Sequence, residues 1–412
     1  MPSHNDDHRS AVLAGYLGWT LDAFDFFLVV LTLTAIGKEF GKSRPEMALT
    51  ITVTLAFRPV GAFIFGLLAD RYGRRIPLML DLVFYSIIEV LSGFAPNYTV
   101  FIILRALFGI GMGAEWGVGA SLAMEKVPAR LRGLLSGFLQ EGYAMGYLLA
   151  ALAYYFVFPI WGWRPLFFLG GLPALLAFYV RFQVKESEVW EQSKHENWGE
   201  LFRAIGSHWK LFLYLVLLMT MMNFVSHGTQ DMYPTFLETE HHLKPTQQAI
   251  VTAVSMIGAI IGGLVVGLMS DRIGRRKSIV IALLLAIVMI PLWAFAPTTG
   301  LLMLGAFLMQ FMVQGAWGVI PAHLSELAPN NVRGFLPGFA YQCGVLFAGS
   351  IAYIEALYAA KASLQYAMAL TALTVFSLGA IVAALGRERR GIVFQGQVEC
   401  EFPARVRDGG SR

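Results

Sequence analysis

Ten ionisable residues stand out inside stretches that are otherwise apolar: Asp22, Asp25, Arg58, Glu89, Arg105, Glu115, Glu141, His227, Asp231 and Glu355. A charge in an apolar helix is costly, so it faces a partner or a wet cavity. Arg58, in LAFRPVGAFIFG, carries a planar guanidinium that stays charged. It can grip a carboxylate through two parallel hydrogen bonds. The carboxylates and His227 suit proton traffic. Burial and a nearby arginine move a carboxyl in opposite directions, and histidine titrates near neutrality. His227 and Asp231, one helical turn apart, come first as proton carriers. Asp22 and Asp25, on one helical face, come second, and Glu115 or Glu141 third. Each has a plainer alternative as half of an ion pair stitching helices together. For Arg58 that alternative is a permanent pair with Asp22 or Asp25. Arg105 is expected in a structural or gating pair, and Glu89 and Glu355 in structural roles.

The stretch MMNFVSHGTQDMYPTF adds a second pattern. At 100° per residue Asn223, Ser226, His227, Gln230 and Asp231 fall within an arc of about 140°. Five hydrogen-bonding groups on one side exceed what helix packing needs, so the stripe is expected to line a cavity. Pro234 follows and is expected to kink the helix. Gln140, beside Glu141 in FLQEGYAMGY, and Tyr341 are further ligand candidates, with Trp116, Tyr143, Tyr147 and Trp317 as weaker aromatic ones.

The elements that must hold these groups follow from composition. Of 412 residues, 57% are hydrophobic and only 14% charged, and mean hydropathy is +0.61. Soluble domains carry about a quarter charged residues. A bilayer-crossing helix uses about 20 apolar residues, so twelve helices would use about 240 positions. Apolar runs bounded by charge, Pro or Gly predict twelve spans: 12–36, 47–69, 77–95, 99–122, 134–157, 164–182, 210–236, 247–270, 278–296, 299–322, 335–358 and 363–385. They divide the chain into an N-terminal segment 1–11, a six-helix unit 12–182, a polar linker 183–209, a second six-helix unit 210–385 and a charged tail 386–412, expected to be loose. With the N-terminus inside, 23 of the 31 Lys and Arg fall in inner loops and termini. Both termini are therefore expected to be cytoplasmic. No cleavable signal is expected before the first span. Cys343 sits in an apolar run and Cys400 in the tail, which argues against a disulfide. No phosphate loop, zinc spacing or nucleophile constellation occurs. The expected protein is not an enzyme, uses no metal or other cofactor and binds no nucleic acid.

The two halves repeat at a constant offset of 201. GLLADRYGRR at 66–75 returns as GLMSDRIGRR at 267–276, FAP at 94–96 as FAP at 295–297, and Trp116-Gly117 as Trp317-Gly318. Glu125, Pro128, Arg132 and Gly133 return as Glu326, Pro329, Arg333 and Gly334. Six spans apart, the halves keep one orientation, and paired halves of this kind enclose a site near the bilayer midplane. Glycines at four-residue spacing in spans 5 and 8 are expected to allow close helix contact.

The repeated loop G-x-L-x-D-R-x-G-R-R resembles the signature of the major facilitator superfamily, and the resemblance covers the whole chain. It implies an all-α membrane fold of two six-helix bundles that rock about a central site. It also implies a gate on the inner side. Asp70 and Asp271 would face helix N-termini or basic partners across the bundle interface. Arg71, Arg74, Arg272 and Arg275 would supply charges to it.

The string Asn223-x-x-Ser226-His227-x-Thr229-Gln230-Asp231-x-x-x-Thr235 further resembles the signature of the Jen-type lactate/pyruvate permeases. These stand within the sialate:proton symporter group, to which WTLDAFDFF and GMGAEWGVG are also similar. The resemblance implies import of a small monocarboxylate, lactate or pyruvate, with a proton. Asn223, His227 and Asp231 would be needed for transport, and Arg58 would bind substrate. The expected setting is a plasma membrane, the bacterial inner membrane in a bacterium, with the protein a monomer. Open alternatives are a sialic acid or other organic-acid:proton symporter and a non-transporting nutrient sensor.

Overall fold

The computed structural model describes residues 4–42, 44–193, 198–230, 232–233, 236–237, 240–243, 245–348, 351, 354–355 and 363–394. The longer helices are α1 His4–Phe40, α2 Arg44–Tyr72, α3 Arg75–Gly93 and α4 Tyr98–Lys126. The fifth span is α5 Arg132–Gln140 followed by α6 Gly142–Trp161, and the sixth is α7 Arg164–Leu169 followed by α8 Pro173–Gln183. The linker holds α9 Glu188–Ser193 and α10 Trp198–Ser207. The second half comprises α11 Trp209–Gln230, α12 Pro245–Ile273, α13 Arg275–Ala294, α14 Thr299–Leu327, α15 Leu336–Ala348 and α16 Leu364–Leu385. Among the described residues, nine helices are long and apolar enough to cross a membrane. Asn97, Thr298 and Ser363 start three of them by accepting a backbone N–H three residues on.

Among the described residues, two spans are interrupted where the uniform pattern predicts continuity. Glu141 separates α5 from α6, and the turn Gly170–Gly171–Leu172 separates α7 from α8. Hydropathy alone does not register such breaks. The exterior is apolar: Ile160 is 70% exposed and Val288 64%. Eight of the ten intramembrane charges, by contrast, are buried. This inverts the soluble arrangement, as a lipid solvent requires.

The repeat is structural as well as sequential. A Cβ on Gly61 of α2 would lie 1.6 Å from the Ile110 carbonyl oxygen of α4. A Cβ on Gly262 of α12 would lie 2.0 Å from the Phe311 carbonyl oxygen of α14. Both pairs stand 201 apart. Glycine is needed at each because the helix backbones touch. Between the bundles, Gly133 and Gly137 of α5 meet Gly267 and Gly263 of α12 in the same backbone-to-backbone manner.

Of the tail, residues 386–394 are described; they lie on the face that carries the repeated loops, with 387–391 exposed and Phe394 only 2% exposed.

Candidate functional site

Two assemblies use the polar groups: a network on the loop face and a set of buried charges deeper in the bundles. The network is doubled by the repeat. Arg74 Nη1 lies 2.6 Å from Asp70 and Nη2 3.1 Å from Glu125, and Arg275 lies 2.7 Å from Asp271 and 3.0 Å from Glu326. Both carboxylate oxygens of each aspartate also reach across the seam, Oδ1 being shared with the arginine. Asp70 accepts the N–H groups of Gly334 at 2.8 Å and Phe335 at 3.0 Å, just before α15. Asp271 accepts those of Gly133 at 2.9 Å and Leu134 at 3.1 Å, at the start of α5. Each helix start offers unpaired N–H groups and a positive dipole end to a carboxylate from the other bundle. Arg132 crosses to Glu326 at 3.0 Å, and Arg333 crosses to Glu125 at 3.6 Å. Burial draws the Arg333 guanidinium down to about 10, still a cation at neutral pH.

Two acids that the sequence reading left out complete the network. Glu186 accepts the N–H groups of Arg74 and Arg75, and Glu388 those of Arg275 and Arg276. They cap α3 and α13, directly after Gly73 (φ +100°) and Gly274 (φ +108°), where the left-handed turn needs glycine. They stand 202 apart, one residue off the 201 offset, so the repeat by itself does not align them. Of the expected gate residues, the Arg71 guanidinium lies 5.5 Å from the centre of the Tyr72 ring and the Arg272 side chain is exposed.

Deeper in, Arg58 of α2 is 4% exposed, with its guanidinium 5.7 Å from the centre of the Tyr341 ring of α15. Its Nε and Nη2 have no hydrogen-bond partner. Among the described residues it forms no ion pair, so the permanent pair with Asp22 or Asp25 is not present. Tyr341 also packs on Trp116 (4.6 Å), Trp317 (5.7 Å) and Trp19 (6.5 Å), closing an aromatic floor across the seam. Gln140 accepts the Trp116 indole N–H at 3.1 Å.

The carboxyls of Asp22, Asp25 and Glu115 are fully buried without hydrogen-bond partners. Asp81 of α3 is in the same condition and was missed, although a charge inside a predicted span is the very signal that picked out the others. Glu115 lies against Gly18 of α1, and Asp25 lies with Glu89 under Gly170. Arg105 pairs with Glu89 at 2.6 Å, out of water. Glu141, at the break in span 5, turns its carboxyl toward Gly263 of the other bundle.

The span 7 stripe divides. Asn223 is buried and donates to Met219 of its own helix at 2.8 Å. Gln230 donates to Gln310 of α14 at 2.8 Å, and Gln310 donates to Thr229 at 3.2 Å. These amides line a small cavity of about 40 Å³ with Tyr233, Thr252, Ser255 and Trp293, inside the second bundle. Gln310 was not anticipated. His227 is half-buried. Asp231, Pro234 and Thr235 lie outside the described residues, as does the proposed contact of Asp231 with His227. No hydrogen bond or ion pair joins Arg58 to Asn223 or Gln230 among the described residues.

Residues 15–244 match the family model "Major Facilitator Superfamily", and residues 218–386 match "Sugar (and other) transporter". The chain is 30% identical over 403 residues to a "Probable 4-methylmuconolactone transporter" of Cupriavidus pinatubonensis, covering 95% of this chain and 94% of that one. It is 30% identical over 379 residues to a "Carboxylic acid transporter protein homolog" of Saccharomyces cerevisiae, covering 85% of this chain but spanning 61% of the yeast protein. It is 27% identical to the "Sialic acid transporter NanX" of Escherichia coli, over 82% of this chain and 84% of that one. Among solved structures the proton:xylose symporter XylE superposes with a TM-score of 0.78 at 18% identity, covering 95% of this chain and 98% of the other, which shows the fold. With its gapless internal repeat, two glycine-packed bundles and doubled loop-face network, the chain belongs to the major facilitator superfamily, a family of membrane transporters.

Proposed function

We propose that this transporter imports a small monocarboxylate, lactate or pyruvate, together with a proton, by alternating access. The observation that carries this reading is Arg58. A buried guanidinium with two unpartnered nitrogens, at the seam between the bundles, suits an anion that comes and goes. The yeast and Escherichia coli relatives named for carboxylic acid and sialic acid transport support an organic acid as cargo.

In this reading the acid enters from the face opposite the loops and docks on Arg58, beside Tyr341 and Gln140, with Asn223, His227 and Gln230 opposite. A proton rides on His227–Asp231 or on Asp22 and Asp25, with Glu115 and Glu141 as further stations. An unpartnered buried carboxylate is far costlier than its neutral acid, so loading anion and proton together lets the bundles move. The loop-face pairs of Asp70, Arg74, Asp271 and Arg275 then part and both cargoes leave. In this reading the basic loops face the cytoplasm, the membrane is the plasma membrane and the protein acts as a monomer. The proton is the coupling ion, and no cofactor is used.

A second reading, a sialic acid or other organic-acid:proton symporter, is supported by the Escherichia coli relative named for sialic acid transport. Uptake of radiolabelled lactate, pyruvate and sialic acid into proteoliposomes tests both. Accumulation that rises with an inward proton gradient is expected, with lactate or pyruvate the better substrate. Uptake indifferent to the gradient would remove symport, and preference for sialic acid would select the second reading.

A further inference from the structure

We propose that Phe394 is a pin holding the loop face shut, because its one ring is shared by two arginines from different bundles. The guanidinium carbons of Arg132, in the first bundle, and Arg333, in the second, each stand 3.8 Å from its centre. All three side chains are buried, with at most 2% exposure. A guanidinium at stacking distance is attracted to the negative ring face, more strongly once water is excluded.

The segment leading to the ring is tied down residue by residue. The Arg390 guanidinium donates to the Arg272 carbonyl. Gly391 turns at φ +77°, and its N–H points to Glu326 at 3.4 Å. The Ile392 carbonyl accepts from Arg132 Nη1 at 3.0 Å. Glu326 is the acid that Arg132 crosses the seam to meet. The tail therefore fastens onto the interdomain contact itself and not onto one bundle alone.

Any motion that opens this face draws Arg132 and Arg333 apart. The ring can then keep one cation and loses the other. A contact made in only one of two states shifts the equilibrium toward that state by its differential strength. The tail thus biases the resting transporter toward the conformation closed on the loop face. Anything that draws Phe394 out, such as a partner or modification of the tail, would release that bias. The inference does not depend on which acid is carried.

The test is a distance measurement across the loop face in the full chain reconstituted in lipid. Spin labels go at Pro128 and Lys277, both exposed, with Cys343 and Cys400 replaced by serine. Double electron–electron resonance then reports the loop-face-open fraction. Phe394→Ala and Phe394→Leu are each expected to raise that fraction about thirtyfold, the scale of one desolvated cation–π contact, while Phe394→Tyr stays at the parent value. Parent-like distances in both Ala and Leu variants overturn the proposal. So does a parent-like Leu variant beside a shifted Ala variant, since bulk alone would then hold the face. The Leu variant also guards against poor folding of the Ala variant.

Discussion

The Ser136 hydroxyl of α5 donates to the Gly318 carbonyl of α14 at 2.7 Å and accepts the Ala322 N–H at 3.0 Å. Those two backbone groups are four apart and would otherwise pair with each other. A side chain of the first bundle is thus inserted into the hydrogen-bond ladder of a helix in the second, beside Pro321. The equivalent position in the repeat is Pro337, which has no hydroxyl. The seam is therefore symmetric in its ion network but asymmetric here. Ser136→Ala should leave both backbone groups to re-pair at the expense of the interdomain contact. At about 1 kcal/mol per lost hydrogen bond, the loop-face-open fraction should rise several-fold. Alkylation rates of a cysteine placed on that face would report it, and an unchanged rate would reduce Ser136 to a bystander.

Asp70→Asn and Asp271→Asn should weaken the same closure more strongly. Each aspartate accepts two backbone N–H groups across the seam. Charge-assisted bonds contribute about 1.5–3 kcal/mol apiece, and an amide can accept only on one side. Each variant should show at least a tenfold gain in the open fraction. The double variant should be close to additive, because the two acids share no direct partner.

Arg58→Lys should keep the charge but lose the planar fork, so KM for the carried acid should rise about tenfold or more. Fold and reconstitution should be unaffected, as Arg58 makes no ion pair among the described residues. A KM equal to the parent's would end the two-point grip on the carboxylate.

Asp22→Asn should separate transport from its driving force. The neutral amide cannot exchange a proton, so uphill accumulation under an inward proton gradient should vanish. Exchange of labelled for unlabelled acid across the membrane should persist. If accumulation survives, the proton travels elsewhere, and the His227–Asp231 pair becomes the next one to change.

Arg105 and Glu89 should behave as a fixed strut. Their 2.6 Å pair is fully buried. Removing one partner strands the other charge, at about 3–5 kcal/mol, so Glu89→Ala should melt well below the parent in detergent. Replacing both by apolar residues of similar volume should recover most of the loss.

Much of the architecture was legible in the residues themselves. Span number, the six-plus-six division and the doubled loop all follow from hydropathy and a 201-residue offset, because lipid demands long apolar helices and a duplicated fold keeps its spacing. The intramembrane charges could also be read, as each is an exception to a solvent rule. Asp81 was readable by that rule and was passed over. Glu186 and Glu388 were harder to see, since a cap is defined by where a chain returns after a hundred residues.

Pairing belonged to tertiary structure. One-dimensional spacing put Gln230 and Asn223 on a common stripe, yet Gln230 is engaged by Gln310 of another helix and Asn223 by its own backbone. It left Arg58 open to Asp22 or Asp25, and the fold gave it to neither. No local pattern singled out Phe394, which the fold buries between arginines of the two bundles. Sequence determines which groups lipid will not tolerate alone; only the packing of helices decides which partner relieves each of them, because that choice rests on distances across the seam that no local pattern encodes.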